Sequence, residues 1–394
     1  NGLEKRPKLR FPGFDEPYRA ITLGQIASLV NRTDPTSNAP IMMLSAGNGF
    51  IMQSEKYSRD NAGQSLKKYI LLKKGELAYN HGASKAKQYG CCYELTEDEA
   101  RIPYVYHCFK VSDTEHTPYV ATALNNPKID RQLKRLVSSS VRMDGLLNIS
   151  FDDYMSVILH LPSLKEQAHI ADFLKKLDER ITAQDKLVAS LKKYKRGVNN
   201  QILTQIDNSY NCRLGSVCEI VGGGTPDTLH IEYWGNTVEW FTPSEIGKTK
   251  YVNNSVRKLS DIGLNSSSAK LLPIGTVLLT TRATLGEMSI AKRECSTNQG
   301  FQSLIPHTDR VSSEYLYYMQ IIIKPWCEKY ASGNTFREIS KSALSDCIIP
   351  IPDRARQEQI VKLLSSIDML IGAAESISMS LSKIRHGLMQ QLFI

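Results

Sequence analysis

The chain has 394 residues, 41% hydrophobic and 23% charged, which excludes a disordered polymer and leaves room for two or three domains with cores. Lys and Arg outnumber Asp and Glu by 49 to 40, and the net charge of +9 fits a polyanionic partner without requiring one. No apolar run reaches membrane-span length and the polar, basic stretch from Asn1 to Arg10 carries no secretory signal, so a cytoplasmic setting is expected. Cys91, Cys92, Cys108, Cys212, Cys218, Cys295, Cys327 and Cys347 contain no C-x-x-C pair, so neither a metal site nor a disulfide framework is expected.

Residues 18–155 come first, with many turns and short aromatic or β-branched runs such as Tyr104-Val105-Tyr106. Pro40, Gly47, Gly49, Gly75, Gly82 and Gly90 punctuate them, which predicts a mixed α/β domain with many loops. Its candidate polar cluster is Asn80, His81, Ser84, Lys85 and Lys87. Asn and Ser donate and accept as reading base edges requires, and Lys suits phosphates. The alternative is a solvated turn.

A long helix is predicted next. Pro162 precedes Ser163-x-x-Glu166, a capping-box pattern. Ile170, Leu174, Leu177, Ile181, Gln184, Val188, Leu191, Lys195, Val198 and Ile202 then follow a strict 4-3 spacing, the 3.5-residue period of a coiled-coil seam. About 40 residues of helix would measure about 60 Å. The run Lys192-Lys193-Tyr194-Lys195-Arg196 reads as a wet helix face, with phosphate contact as the alternative. Gly197 lies inside the helix, where glycine costs about 1 kcal/mol relative to alanine, and suggests a close approach or a kink.

Residues 211–345 return to the loop-rich texture, with Gly222-Gly223-Gly224-Thr225-Pro226, Pro243, Pro273-Ile274-Gly275 and Gly286 between runs such as Thr276-Val277-Leu278-Leu279-Thr280-Thr281. The glycine triplet reads as a tight turn in preference to a phosphate cradle. Candidate nucleic-acid contacts are Lys248 and Lys250 beside Tyr251, and Thr281, Arg282 and Thr284 of the following loop. A second long helix closes the chain, with Asp353 as N-cap and the stripe Ile360, Leu364, Ile367, Ile371, Ala374, Ser378, Leu381, Arg385, Leu388 and Leu392, interrupted by Gly387.

The two helices are copies. A constant offset of 190 residues carries Pro162 to Pro352, Gln167 to Gln357, Asp178 to Asp368 and Gly197 to Gly387 without a gap. Ile149-Ser150 answers Ile339-Ser340 at that offset, and Leu23-Gly24 answers Leu214-Gly215 at 191. Each half is a variable part followed by a similar helix. A long exposed seam is unstable in water, so the two stripes are expected to pair with each other. A two-fold relation makes that pairing antiparallel; the alternative is that each helix packs on its own domain.

Catalytic patterns fail in turn. Thr242 stands where a P-loop ending in Gly247-Lys248-Thr249 needs glycine, and Lys128 follows Asn126-Pro127 where an adenine methyltransferase needs a second proline. Pro226-Asp227 with Glu245 and Lys248 has one residue too many for a nuclease, and no nucleophile elbow or H-E-x-x-H pair occurs. No catalytic residue is assigned.

At this point the residues resemble a known family, the specificity (S) subunits of type I restriction enzymes. The opening Pro7-Lys8-Leu9-Arg10-Phe11-Pro12-Gly13-Phe14 is similar to their usual start. So is Gly223-Gly224-Thr225-Pro226…Tyr233-Trp234…Trp240-Phe241-Thr242-Pro243, followed by Leu272-Pro273-x-Gly275-Thr276-Val277-Leu278, Gly286 and Asn298-Gln299-Gly300-Phe301. Ile349-Pro350-Ile351-Pro352…Gln357-Glu358-Gln359-Ile360 resembles a further pattern, from which Ala168-His169 of the first half departs where the second has Glu358-Gln359. The similarity spans essentially the whole chain, and its specificity lies in the order of the motifs plus the duplication.

The resemblance implies an α+β, pseudo-two-fold chain of two mixed α/β target-recognition domains (1–155 and 211–345), separated by a long antiparallel two-helix coiled coil (156–210 and 346–394). It implies no chemistry and no cofactor in this chain. Double-stranded DNA would be read as two half-sites from the major groove. Two modification subunits, bringing S-adenosylmethionine, would dock on the helices, and motor and nuclease subunits would join them; no membrane is involved. A duplicated coiled-coil protein scaffold without DNA binding is the competing reading, and a DNA-modifying enzyme with an unfamiliar site is the third.

Overall fold

The computed structural model describes residues 6–56, 63–84, 87–137, 147–206, 211–282, 284–333 and 337–394. They form two compact units, one made by Asn1–Asp185 with Ser376–Ile394 and the other by Lys186–Glu375. Each long helix, Leu164–Gln205 and Arg354–Leu392, is therefore shared between the units.

In the first unit, an antiparallel sheet in the order Ala27–Leu29, His107–Val111, Leu77–Asn80, Cys91–Glu94 is joined by the hairpin Met42–Ser45/Gly49–Met52 and the pair Ile70–Lys73/Glu99–Ile102. Helices Thr117–Leu124 and Pro127–Leu136 follow; Asn126 caps the second by accepting from Lys128 N at 3.0 Å, with Pro127 at the first helical position. Leu23, Leu77, Phe109, Tyr119 and Tyr154 are fully buried in the core. In the second unit the main sheet runs Cys218–Gly222, Gln302–Pro306, Val277–Leu279, Met288–Ala291, Tyr251–Val252, beside a smaller one of Arg257–Leu259, Trp234–Phe241 and Cys295–Thr297.

The same frame closes each unit. Arg19–Thr22 pairs antiparallel with Ile158–Leu161, and Asn211–Arg213 with Ile348–Pro350. Leu23 N donates to Val157 O at 2.9 Å, and Leu214 N to Cys347 O at 2.8 Å; both leucines are fully buried. Gly24 and Gly215 stand against Met155 and Ser345, and a Cβ at Gly215 would meet Ser345 Oγ at 1.9 Å. Ser150 and Ser340 each cap the one-turn helix that follows. The buried Gln167 donates to Pro162 O at 3.0 Å and accepts from His116 N, as Gln357 donates to Pro352 O at 2.9 Å and accepts from Ser312 N. A glutamine spends donor and acceptor on backbone groups, so one residue type ties a helix start to a domain twice over.

The helices pair antiparallel within each unit. In the first, Asp178 accepts from both Arg385 Nε and Nη2, and Ser378 Oγ donates to Asp185 at 2.5 Å, so the index falls on one helix as it rises on the other. In the second, Lys195 meets Asp368 at 2.5 Å and Lys192 meets Glu375 at 2.6 Å. Asp178–Arg385 and Asp368–Lys195 are equivalent pairs under the 190-residue offset. Ile170, Leu174, Ile360, Leu364, Ile367 and Ile371 are buried; Leu177, Ile181, Val188, Leu191, Leu381 and Leu388 are half-buried. The 4-3 positions face inward while most of their neighbours are exposed.

Two local expectations are corrected. The capping box at Ser163-x-x-Glu166 is not formed. Glu166 is fully buried and its carboxylate accepts from Arg10 Nε at 2.9 Å, Arg10 Nη2 at 2.7 Å and Tyr18 Oη at 3.2 Å, because a guanidinium fork satisfies a buried carboxylate better than one backbone amide. The opening segment thereby anchors to the helix start, with Phe11 packed edge-on against His169 and Phe173. Gly197 and Gly387 make no close approach, since a Cβ at either would meet nothing within 4 Å. Asp353 does cap, accepting from Arg356 N at 2.8 Å.

Replacing Gly197 or Gly387 by alanine should raise stability by about 1 kcal/mol each, from helix propensity without a clash. Leu364→Ala should cost about 2–5 kcal/mol by opening a cavity in the seam. Chemical denaturation followed by circular dichroism checks both; destabilisation by Gly197→Ala would contradict the open-space geometry.

Candidate nucleic-acid interface

In the second unit, five loops meet on one face. Thr281 N donates to Gly300 O at 2.8 Å, joining loop 280–286 to loop 298–300. Thr284 Oγ1 donates to Pro243 O at 3.4 Å, adding the turn after Phe241. Gly223 lies directly on Asn298 O and Thr297, where a Cβ would come within 2.0 Å, and Thr225 Oγ1 donates to Gln299 Oε1. Gly224 is equally tight against Ser268, and its carbonyl accepts from Trp240 Nε1 at 3.0 Å. The glycines thus allow close loop packing and leave no phosphate cradle. The fifth loop arrives through Glu338, which pairs with Arg282 Nη2 at 2.9 Å and accepts from Thr281 Oγ1 at 3.4 Å. Beside this cluster the Arg257 guanidinium lies 3.4 Å from the ring centroid of Trp234. Exposed amides, hydroxyls and guanidinium groups on a rigid base suit hydrogen bonding to base edges and phosphates.

The candidate residues separate by orientation. Arg282 and Thr284 lie in the cluster with their side chains accessible, and Lys248 is exposed next to Gly247, which packs on Glu287. Thr281 belongs to the cluster but is fully buried beneath it. Lys250 does not sit there. Its Nζ donates to Tyr318 Oη at 3.2 Å and Ser365 Oγ at 3.1 Å, and lies 4.4 Å from the Tyr318 ring centroid. Burial, with help from Lys195 and Lys292, pushes the Lys250 ammonium below its ordinary pKa against the pull of Glu314 and Asp368.

In the first unit, Ser84 is exposed, its backbone N–H donating to Lys87 O at 3.0 Å. Asn80 accepts from Gly82 N at 2.9 Å. His81 is buried with its ring 5.0 Å from that of His107. Lys87 turns back to donate to Asn125 O at 2.9 Å, at the end of helix Thr117–Leu124. Lys85 lies outside the described residues, as does Ala283 of the second loop. In the run Lys192–Arg196, Lys192 and Lys195 bridge to the opposite helix while Lys193 and Arg196 are exposed.

Asn298, Gln299, Thr225 and Glu338 join the face without being among the candidate contacts. Asn298-Gln299-Gly300-Phe301 was visible as a motif, whereas nothing local marks Glu338, which pairs across 57 residues to Thr281. Gly223→Ala should dislodge the glycine loop from Asn298 and break the Trp240–Gly224 hydrogen bond. The checks are a shifted tryptophan emission and a lower Tm; an unchanged spectrum and Tm would contradict the packing described.

Residues 207–379 match the family described as Type I restriction modification DNA specificity domain. The MjaIX specificity subunit of Methanocaldococcus jannaschii is 35% identical over 186 residues, 46% of this chain and 43% of that protein. The EcoR124I/EcoR124II specificity subunit of Escherichia coli is 26% identical over 220 residues, 52% of this chain and 53% of that one. The matches thus span about half the length of these curated relatives. In fold, the chain is similar to the type I restriction-modification system S subunit from M. genitalium, with a TM-score of 0.59 and 14% identity over 99% of both chains. It is also similar to a chain in a structure on complex assembly and conformational transition of the type I R-M system, at TM-score 0.60 and 19% identity over 98% of both. Among the described residues no helix is long and apolar enough to cross a membrane. Residues 207–379 are thus similar to the type I restriction modification DNA specificity domain, and about half of the chain is similar to specificity subunits of type I restriction enzymes.

Proposed function

We propose that this chain is the DNA sequence-recognition subunit of a type I restriction–modification complex. It reads a bipartite target with two recognition domains, docks modification subunits on its long helices, and performs no chemistry itself. The observation that carries this reading is a repeated frame bearing unlike faces. Leu23 and Leu214, Gln167 and Gln357, and the pairs Asp178–Arg385 and Asp368–Lys195 recur with the same roles. The loops on that frame differ. An asymmetric, split DNA site calls for two different readers on a pseudo-two-fold support.

In this reading the second domain presents Arg282, Thr284, Lys248, Asn298 and Gln299 to DNA. The first domain presents the stretch at Gly82–Ser84, beside Asn80. The helical pair, an antiparallel coiled coil, sets the half-site spacing. The second helix also carries a second apolar row at seven-residue intervals: Leu363, Leu370, Ile377 and Ile384 are 46%, 58%, 48% and 54% exposed; the equivalent positions of the first helix are Phe173, Leu187 and Tyr194, with Arg180 breaking the row. Such a row suits helices of two modification subunits, which bring S-adenosylmethionine and receive the flipped base. Motor and nuclease subunits complete the cytoplasmic restriction complex.

Three outcomes test this. Exchanging residues 18–155 for the first domain of another specificity subunit should change one half of the methylated sequence in the host; a methylome with both halves changed, or neither, would contradict it. Ile181→Pro or Ile371→Pro should cost about 3 kcal/mol or more and abolish assembly with modification subunits, read by native mass spectrometry. With those subunits present, Arg282→Ala should weaken DNA binding in gel shifts and flatten its steep salt dependence; unchanged binding would remove Arg282 from the interface.

A further inference from the structure

The second unit contains a polar joint that recognition chemistry does not explain. Lys250 precedes the strand Tyr251–Val252, and its ammonium is surrounded by three aromatic rings, those of Tyr318 at 4.4 Å, Tyr251 at 5.3 Å and Tyr317 at 5.7 Å from their centroids. It donates to Tyr318 Oη and to Ser365 Oγ of the second long helix. Tyr318 Oη in turn donates to Asp368 Oδ2 at 2.9 Å, one turn further along that helix. The other oxygen of Asp368 holds Lys195 of the first long helix at 2.5 Å, and Lys195 lies 5.5 Å from the Tyr318 ring centroid. A single chain of contacts therefore runs from the domain through Lys250 and Tyr318 to both helices. Glu314 faces it from the domain side, its carboxylate accepting from Tyr251 Oη at 3.3 Å, and Lys292 covers the Tyr251 ring at 4.0 Å.

The equivalent place in the first unit is built differently. There Asp178 and Arg385 line a cavity of about 690 Å³ together with Phe50, Tyr93, Glu94 and Asn125. The helix-to-helix pair is repeated, but the residues beside it differ: Phe50, Tyr93 and Asn125 in the first unit, Tyr317, Tyr318 and Glu287 around a cavity of about 500 Å³ in the second.

We propose that Lys250 is a positioning residue: through Tyr318, Ser365 and Asp368 it sets the orientation of the second recognition domain on the helical pair, and with it the half-site spacing that the complex accepts. The spacing part rests on the function proposed above; the orientation part does not. A lysine suits this task because its ammonium bonds two hydroxyls while three ring faces stabilise it, a geometry held only when domain and helix are correctly placed.

The test uses the full chain with Cys212→Ser, Val256→Cys and Lys193→Cys, spin-labelled at the two new thiols, so that electron–electron distances report domain against helix. Lys250→Met should at least double the width of the distance distribution, and Lys250→Arg, which keeps charge and ring contact, should restore most of it. If Lys250→Met fails to fold, Tyr318→Phe with Ser365→Ala removes the hydrogen bonds alone and should broaden the distribution as well. Unchanged widths in the folded variants overturn the proposal. The same variants, assembled with modification subunits, are then compared by gel shift on the methylated target and on targets with the gap altered by one base pair. Preference for the native gap should fall by about tenfold in Lys250→Met, the equivalent of about 1.4 kcal/mol. Broadening without loss of that preference overturns the assignment to spacing. If the unsubstituted complex itself shows no gap preference, the bipartite reading fails and the spacing part with it, while the label widths still decide the orientation part.

Discussion

Burial of the two 4-3 stripes is the constraint on which the rest depends. The helices of 42 and 39 residues each put one 4-3 row of mostly Ile and Leu inside, since every such side chain is stabilised by about 1.5–3 kcal/mol when fully buried. The stripes achieve this by facing each other within each unit. Direction and register then follow from the polar edges. Asp178 meets Arg385, and Asp368 meets Lys195, only when the helices run antiparallel at this offset. These pairs are half-exposed, where an ion pair is worth about 0–1 kcal/mol, so they select the alignment more than they stabilise it.

Each unit builds the same closure on its share of the helices and leaves its surface loops outside it. Short strands pair at the domain entrance, a leucine amide bonds to the segment before the last strand, and a buried glutamine fastens the helix start. These closing contacts lie in residues that recur between halves, whereas the Arg10–Glu166 anchor belongs to the first half alone. Loops on the far side, such as 280–286 and 298–300, rest on backbone hydrogen bonds and tightly packed glycines. Side chains there can vary without loosening the frame.

The charge balance is distributed unevenly between these tasks. Many cations are already spoken for: Arg10 by Glu166, Lys192 and Lys195 by the opposite helix, Lys87 by a helix end, Lys250 by the joint. Even Arg282 carries a partner in Glu338. The net charge of +9 therefore overstates the number of free cations on the candidate face. An arginine held by a carboxylate is pre-oriented, and exchanging that partner for a phosphate or base costs less ordering than fixing a free side chain.

How much of this was legible in advance divides along a physical line. Periodicity belongs to the covalent chain: a 4-3 row commits one helix face to burial wherever the helix goes, so Ile170 to Ile202 and Ile360 to Leu392 could be assigned from spacing alone. Duplication likewise needs no coordinates. Side-chain direction in loops does not belong to the chain in that way. Lys248 and Lys250 are two residues apart and alike in composition, yet one faces solvent and the other is caged against the helices, because only the packed fold brings Tyr318 and Ser365 to the second. Glu166 fits a capping box on paper and goes instead to Arg10, distant by 156 residues. Local spacing by itself determined the helices and their repetition; tertiary structure decided which polar groups remain free, since a buried charge takes the best partner within reach in space, whatever its distance along the chain.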